Sequence, residues 1–214
     1  MNKKTALAFD FDGTLASSFT LEDDVMSKAC QAVGFDVTPE EIHSHYGPTE
    51  SGIIRDIVGD DRFDEAWKVC IGLYKEGSRK LKPYDGIPEL LNLLASHKVL
   101  VVLLTGRSRT TLDISLKDFG LENDFVRCYV GSETGENKQY SIVQVMKDYG
   151  LEPKDVLYIG DTLADIRMMR SVNIDILSAG YSHPRDYQAL LEEQNPGNVM
   201  TSVDELKERL LNLI

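Results

Sequence analysis

Short apolar segments alternate with longer amphipathic segments along most of the chain. Apolar runs of four to six residues, rich in β-branched side chains, are typical of buried strands, and they occupy residues 5–9, 99–104, 126–130, 156–159 and 174–177. Apolar residues repeat at helical spacing in residues 88–97, 110–119 and 141–149. Strands that alternate with helices of about ten residues predict a parallel sheet covered by helices on both faces.

Residues 17–81 interrupt this alternation, because their patterns are helical throughout. The helical segments are residues 23–33, 38–46, 53–58 and 62–81. Thr38 and Glu41 are spaced as a capping box, with Pro39 at the first helical position, and Trp67 and Tyr74 belong to an apolar stripe that indicates packing. We therefore predict that an all-helical domain, residues 17–81, is inserted into an α/β core domain formed by residues 1–16 and 82–214.

Composition narrows the classes of function. The 214-residue chain is 42% hydrophobic and 27% charged, which is typical of a globular protein, and its net charge of −12 disfavours a surface for nucleic acid or anionic membranes. Its apolar runs are far shorter than the roughly 18 residues that span a bilayer, and the early Asp10 argues against a signal peptide. Three well-separated cysteines favour reduced thiols and a cytoplasmic location. We expect a monomer or a homodimer.

Two aspartates directly follow the first apolar run. Residues i and i+2 of a strand project to the same side, so Asp10 and Asp12 are expected to present two carboxylates to one small volume. Two close anions repel each other and raise each other's pKa. This pairing favours a bound cation or a catalytic task over its structural alternative, a solvated turn at Asp12 and Gly13.

Further polar residues occur where other predicted strands end or the next helix begins. They are Thr105, Gly106 and Arg107, then Asn137 and Lys138, then Asp161 and Asp165. Each group has a structural explanation when taken alone: a turn, a solvated lysine or a helix cap. Ligands of open parallel sheets bind beyond the carboxyl ends of the strands, so we expect these groups to converge on one site.

In this order, these residues resemble the motifs of the haloacid dehalogenase superfamily, and within it the phosphoglycolate-phosphatase-like hydrolases that carry a helical cap. The segment from Phe9 to Leu15 matches the first motif, Thr105-Gly106 the second, Lys138 the third, and Gly160-Asp161 with Asp165 the fourth. The resemblance covers the whole chain. It implies a Rossmann-like, doubly wound core whose first strand is followed by the cap.

The resemblance also implies the catalytic roles. Asp10 would be the nucleophile and Asp12 the general acid and base. Mg²⁺ would be held by Asp10, the backbone carbonyl of Asp12, and Asp161, which are the oxygen ligands that Mg²⁺ prefers.

The remaining motif residues are expected to act on the phosphoryl group. The Thr105 hydroxyl and the Gly106 amide would bind phosphoryl oxygens, while Lys138 adds fixed positive charge. Asp165 would orient Lys138 or a metal-bound water.

These roles predict a Mg²⁺-dependent phosphatase that hydrolyses a small phosphorylated metabolite through an aspartyl-phosphate. Asp12 favours phosphoryl transfer over dehalogenation, since a departing halide needs no proton. A phosphomutase similar to β-phosphoglucomutase is the first alternative, although such mutases usually carry a histidine soon after this aspartate and residues 13–35 contain none. A non-catalytic phosphoacceptor module is the second, although receiver modules have no insertion after their first strand.

Weaker signals concern the substrate. Arg55 is the cap cation that we expect to contact it, and residues 46–52 form a candidate substrate-facing loop. Arg107 either touches the substrate or solvates a helix start. The sequence does not indicate whether His183 contacts the substrate.

Overall fold

The computed structural model describes residues 2–135 and 138–214, and it contains a six-stranded sheet whose neighbouring strands are all parallel. The strands lie in the order β3-β2-β1-β4-β5-β6. Their bounds are β1 (Ala6–Phe9), β2 (Leu100–Leu104), β3 (Arg127–Tyr129), β4 (Val156–Gly160), β5 (Asp175–Ala179) and β6 (Val199–Met200).

Helices cover the sheet and form the inserted segment. In the insertion they are α1 (Phe19–Ala32), α2 (Pro39–Ser44), α3 (Glu50–Val58) and α4 (Asp60–Ser78). Around the sheet they are α5 (Ile87–Ser96), α6 (Arg109–Phe119), α7 (Lys138–Tyr149), α8 (Leu163–Ser171), α9 (Arg185–Gln194) and α10 (Val203–Leu211). No helix in the described part of the chain combines the length and the apolarity needed to cross a membrane.

Side-chain alternation along the strands builds two core layers. Leu7 and Phe9 of β1 pack in one layer with residues of α5, α6 and α10. Ala6 and Ala8 point to the opposite face and pack with residues of α7, α8 and α9. The doubly wound α/β fold with an inserted helical segment, predicted from the sequence, is therefore confirmed.

The insertion has its own apolar core, in which side chains of α1, α3 and α4 pack together, among them Met26, Ile54 and Tyr74. The chain leaves and re-enters the sheet domain at adjacent positions, because Ala16 pairs with Pro83 and the Tyr84 amide donates to the Leu15 carbonyl at 2.8 Å. We call residues 17–81 the cap. The exact division at 17 and 81 stays a prediction.

Several element bounds differ from the sequence-based expectation, for local reasons. Helix α1 begins at Phe19, four residues before the predicted start, and the hydroxyl of its N-cap Ser18 donates to Asp12 and not to the helix. The box at Thr38 and Glu41 forms in full. At the last helix, the Ser202 hydroxyl caps α10 by accepting from the Glu205 amide, while the Glu205 carboxylate accepts from the Thr201 amide.

Candidate active site

A cavity of about 260 Å³ lies between the carboxyl edge of the sheet and the cap. Strand β1 pairs with β2 and β4, with Phe9 opposite Leu103 and Ile159, so the residues that follow these three strands meet at one place. The core side of the cavity is lined by Asp10, Asp12, Gly106, Arg107, Lys138, Thr162, Ala164, Asp165 and Met168. The cap side is lined by Phe19, Glu22, Met26, Tyr46, Gly47, Pro48, Glu50 and Ile53.

Asp10 is buried at the end of β1 and is held by two donors. The Phe11 amide donates to Oδ1 at 2.8 Å, and Lys138 Nζ lies 2.6 Å from Oδ2. Burial raises the pKa of Asp10 well above its ordinary value against the lowering influence of Lys138, and the charges of Asp165 and Asp161 add to the rise. Added positive charge beside Asp10 would lower this pKa and favour the carboxylate form.

Carboxylate oxygens of Asp10, Asp161 and Asp165 lie within 4.8 Å of one another. Asp161 is fully buried; its Oδ2 lies 2.8 Å from His183 Nε2, while its Oδ1 has no hydrogen-bond partner among the described residues. A buried carboxylate oxygen without a donor is unfavourable, so Asp161 and Asp10 fit a divalent cation. Gly13 makes room for this arrangement, since a Cβ there would overlap the Asp161 carboxylate.

Asp165 is the most fully hydrogen-bonded of the three, because each of its oxygens accepts two hydrogen bonds. Thr162 donates to Oδ2 from its amide at 3.1 Å and its hydroxyl at 2.7 Å. Lys138 Nζ at 2.9 Å and the Tyr158 hydroxyl at 3.2 Å reach Oδ1. Although burial opposes it, Lys138 and Thr162 lower the pKa of Asp165. Asp165 therefore holds Lys138 against Asp10.

Asp12 is bound by a buried arginine. Arg107 Nε lies 2.9 Å from Oδ2 and Nη2 lies 2.7 Å from Oδ1, and the Ser18 hydroxyl also donates to Oδ1. Burial would raise the pKa of Asp12, but the charge and hydrogen bonds of Arg107, together with Ser18, outweigh it and lower the pKa. Asp10 and Asp12 thus have pKa values shifted in opposite directions.

Arg107 also connects the core to the cap. Its guanidinium pairs with Glu22 of α1 and donates to the Tyr74 hydroxyl of α4, and it lies over the Phe11 ring at 4.6 Å. The side chain is 2% exposed. The sequence left two interpretations of Arg107: contact with the substrate or solvation of a helix start. Solvation does not describe this side chain, because it is buried, lines the cavity and is paired with carboxylates.

Thr105 and Gly106 extend the end of β2. Thr105 is buried; its amide donates to the Tyr129 carbonyl at 3.0 Å, and its hydroxyl accepts from the Arg107 amide at 3.2 Å. Gly106 lines the cavity, and its carbonyl packs so closely on Gly131 that a Cβ there would not fit. This packing fixes the backbone beside Asp10 and Asp12.

Arg55 is not brought to the cavity. It lies on α3, pairs with Asp60 at 2.8 Å and with Glu133 at 3.6 Å, and covers the Phe63 ring at 3.7 Å. The structure therefore offers no support for its predicted substrate contact. Asn137 lies outside the described residues.

Among the acidic cap residues of the cavity wall, the sequence reasoning missed Glu22, whereas Glu50 lies in the predicted substrate-facing loop, residues 46–52. Glu50 Oε2 accepts from the Ser108 amide at 2.7 Å and Oε1 from the Thr111 hydroxyl at 2.5 Å, so the cap supplies an acceptor to the start of α6. An acidic side chain at a helix start is usually solvated, and the tertiary partner of Glu22 or Glu50 leaves no signal in local sequence. Tyr46 belongs to the predicted substrate-facing loop.

A profile of the haloacid dehalogenase-like hydrolases matches residues 7–179. The chain belongs to this family. A phosphoglycolate phosphatase from Nitrosococcus oceani is 26% identical over 156 residues, which cover 71% of this haloacid dehalogenase-like hydrolase and 68% of that protein. One from Synechococcus elongatus is 23% identical over 209 residues, covering 94% and 98%.

Solved structures share the fold of this haloacid dehalogenase-like hydrolase. A structure described as a predicted phosphoglycolate phosphatase from Haemophilus somnus aligns with a TM-score of 0.78 at 18% identity, covering 98% of this chain and 99% of that one. A structure described as a predicted phosphatase from Clostridium acetobutylicum aligns with a TM-score of 0.76 at 21% identity over the full length of both chains. The resemblance to phosphoglycolate-phosphatase-like hydrolases, inferred from the motifs, is confirmed.

Proposed function

We propose that this hydrolase is a Mg²⁺-dependent phosphatase that cleaves a small phosphomonoester through an aspartyl-phosphate on Asp10. The observation that carries the proposal is geometric: Asp10 and Asp12 are both buried and line one cavity, Asp10 against Lys138 and Asp12 against Arg107. Two carboxyl groups that lie side by side with different partners can take different chemical roles. The names of the relatives support the same reaction class.

Asp10, Asp161 and the backbone carbonyl of Asp12 would hold the Mg²⁺. The unpartnered Oδ1 of Asp161 and the raised pKa of Asp10 both support a cation at this position. When bound, Mg²⁺ supplies the positive charge that lets an anionic carboxylate approach an anionic phosphoryl group.

Asp10 and Asp12 have different roles in the two chemical steps, phosphoryl transfer to the enzyme and hydrolysis of the aspartyl-phosphate. An oxygen of Asp10 attacks phosphorus, while the carboxyl of Asp12 gives its proton to the departing alkoxide. Asp12, now ionised, then takes a proton from the water that attacks the aspartyl-phosphate. Lys138, the Thr105 hydroxyl and the Gly106 amide would hold the phosphoryl oxygens.

The substrate is a small metabolite in this proposal, since the cavity is slightly smaller than the roughly 300–1,000 Å³ of ordinary ligand pockets. The three cysteines are free thiols. This state suits a reducing compartment, so we propose the cytoplasm as the site of action.

Phosphate release from a panel of phosphorylated metabolites tests the function. We expect release by the wild type with Mg²⁺, none with a chelator, and a loss of about 10⁴-fold or more in Asp10→Asn because the nucleophile is gone. Asp118→Asn, at an exposed position on α6, makes the same chemical change away from the cavity and should keep full activity. Activity that survives in Asp10→Asn would refute the nucleophile assignment.

A further inference from the structure

We propose that the organic part of the substrate is uncharged or cationic, so that phosphomonoesters bearing a carboxylate, phosphoglycolate among them, are poor substrates. The juxtaposition of Glu22 and Glu50 with the apolar wall of Phe19, Met26 and Ile53, opposite Asp10, points to this class. The inference rests on the proposed function, because it concerns the alcohol that the same cavity would release.

The cations of the cavity are already engaged. Among the described residues of its lining, Arg107 and Lys138 carry positive charge. Lys138 lies between Asp10 and Asp165, and Arg107 between Asp12 and Glu22. A phosphoryl group on Asp10 would use Lys138, which leaves no cation for a second anionic group of the substrate.

The cap side adds acidic groups. Glu22 and Glu50 are each 5% exposed and face the cavity. Neither the ionised nor the protonated form of a carboxyl group carries positive charge, so these two side chains cannot form an ion pair with an anionic substrate group. The cap cation Arg55 is directed to Asp60, Glu133 and the Phe63 ring.

The rest of the cap wall suits an uncharged group. Phe19, Met26, Pro48 and Ile53 would remove water from a substrate carboxylate without replacing its hydrogen bonds, which is unfavourable. Burial, with the charges of Glu22 and Asp23, raises the pKa of Tyr46 far above its ordinary value. Its hydroxyl therefore stays protonated and can donate one hydrogen bond to a substrate oxygen.

A matched set of two-carbon phosphomonoesters tests the inference. The set is phosphoglycolate, ethyl phosphate, ethylene glycol phosphate and ethanolamine phosphate, compared by kcat/KM with saturating Mg²⁺ at constant ionic strength. We expect phosphoglycolate to fall at least about tenfold below ethylene glycol phosphate, the scale of a single unfavourable charge contact. Equal or better turnover of phosphoglycolate would overturn the inference and leave the proposed function intact, whereas no hydrolysis of any phosphomonoester would overturn both.

The substrates also differ in the reactivity of their leaving groups. Phosphonates remove this difference from the comparison, because they bind without reacting. 3-Phosphonopropionate and 3-hydroxypropylphosphonate differ as the substrates do, and competitive inhibition should favour the hydroxyl compound by a similar factor. Stronger inhibition by the carboxylate would contradict the inference.

A variant that adds positive charge to the cavity wall gives the reverse test. Pro48 is a half-buried loop residue of the lining, so Pro48→Lys should raise kcat/KM for phosphoglycolate relative to ethylene glycol phosphate by about tenfold. Ser44→Lys, on the exposed surface of α2, changes the net charge equally and should leave the ratio unchanged. An unchanged ratio in a folded Pro48→Lys protein would count against the inference.

Discussion

At the scale of single residues, Asp12 is held in the form of a base. Arg107 and Ser18 lower its pKa against the effect of burial. The ionised carboxylate is ready to activate water, while protonation of the leaving alkoxide requires the contact with Arg107 to weaken as substrate binds. In the proposed reaction, the acid step therefore requires a weaker Arg107–Asp12 ion pair, whereas the base step is favoured when this ion pair is intact.

Replacement of Asp12 by Asn should lower kcat for an alkyl phosphomonoester by about 10²- to 10⁴-fold, since both proton transfers are lost. p-Nitrophenyl phosphate needs no proton for its departure, so its phosphoryl group should still reach Asp10 and stay there. Acid quench with radiolabelled substrate measures the trapped aspartyl-phosphate. Normal turnover without trapped intermediate would exclude the acid/base role.

Gly13 is a second residue whose identity follows from the geometry. Its φ is +71°, and a Cβ there would overlap the Asp161 carboxylate. We expect Gly13→Ala to weaken Mg²⁺ affinity, measured by calorimetry, in addition to a stability loss of about 1 kcal/mol for the backbone conformation. Gly120→Ala is the matched control, because its φ is +70° with open space around it; it should lose stability and keep Mg²⁺ affinity. Equal Mg²⁺ affinity in both variants would contradict this view of Gly13.

At the scale of elements, Arg107 joins the end of β2 to α1 and α4. Removal of its charge in Arg107→Met leaves Asp12 and Glu22 buried without their cationic partner, which should destabilise the fold by about 3–5 kcal/mol in chemical denaturation. Arg109→Met, at an exposed position two residues along, should cost less than about 1 kcal/mol. Addition of Glu22→Gln to Arg107→Met should recover part of the loss, and a strictly additive double variant would argue against the network.

The same contact predicts a change in pH dependence. Arg107 lowers the pKa of Asp12, so its replacement by Met raises that pKa and the base form is reached only at higher pH. The acidic limb of the kcat profile for dephosphorylation should shift upward in pH. If the acidic limb of the Arg107→Met profile lies at the same pH as that of the wild type, the pKa of Asp12 does not determine this limb.

Local pattern predicts most elements of this chain and misses those that depend on distant partners. The strands β1 to β5 are apolar runs that sequence reveals, whereas β6 contains only Val199 and Met200, too short to form a pattern. Helix α1 extends to Phe19 since Ser18 is drawn to Asp12, a contact that local sequence does not encode.

In the site, the motif positions Asp10, Asp12, Asp161 and Lys138 could be named from the sequence because they follow predicted strands or open a helix. The pairing of Arg107 with Glu22 joins a residue after β2 to one in α1 and becomes visible only in the folded molecule.

At the scale of the whole molecule, the cap and core meet along the segment that follows β3. The Thr49 amide donates to the Ser132 carbonyl at 2.9 Å, and the Ser51 hydroxyl donates to the Glu133 carboxylate at 3.0 Å. Gly52 lies against the Glu133 backbone so closely that a Cβ would overlap its carbonyl. This contact sets how near the cap approaches Asp10.

Gly52→Ala should push the cap away and raise KM about fivefold, equivalent to about 1 kcal/mol of binding free energy. The catalytic carboxylates belong to the core, so kcat should change less. Gly72→Ala is the control, because it lies within α4 with open space around it and should stabilise the helix by about 0.5–1 kcal/mol without altering KM. A KM that moves equally in both variants would show that the Gly52 contact does not position the cap.

The pairing of Ala16 with Pro83 gives the molecule a modular design. The polypeptide departs and returns at adjacent positions, so the intervening segment can differ in size without lengthening any connection in the sheet. A graft between these two positions keeps the core scaffold of Asp10, but the incoming segment must again supply an acidic partner for Arg107, as Glu22 does here. Cap and core are therefore coupled through one ion pair that spans both parts of the molecule.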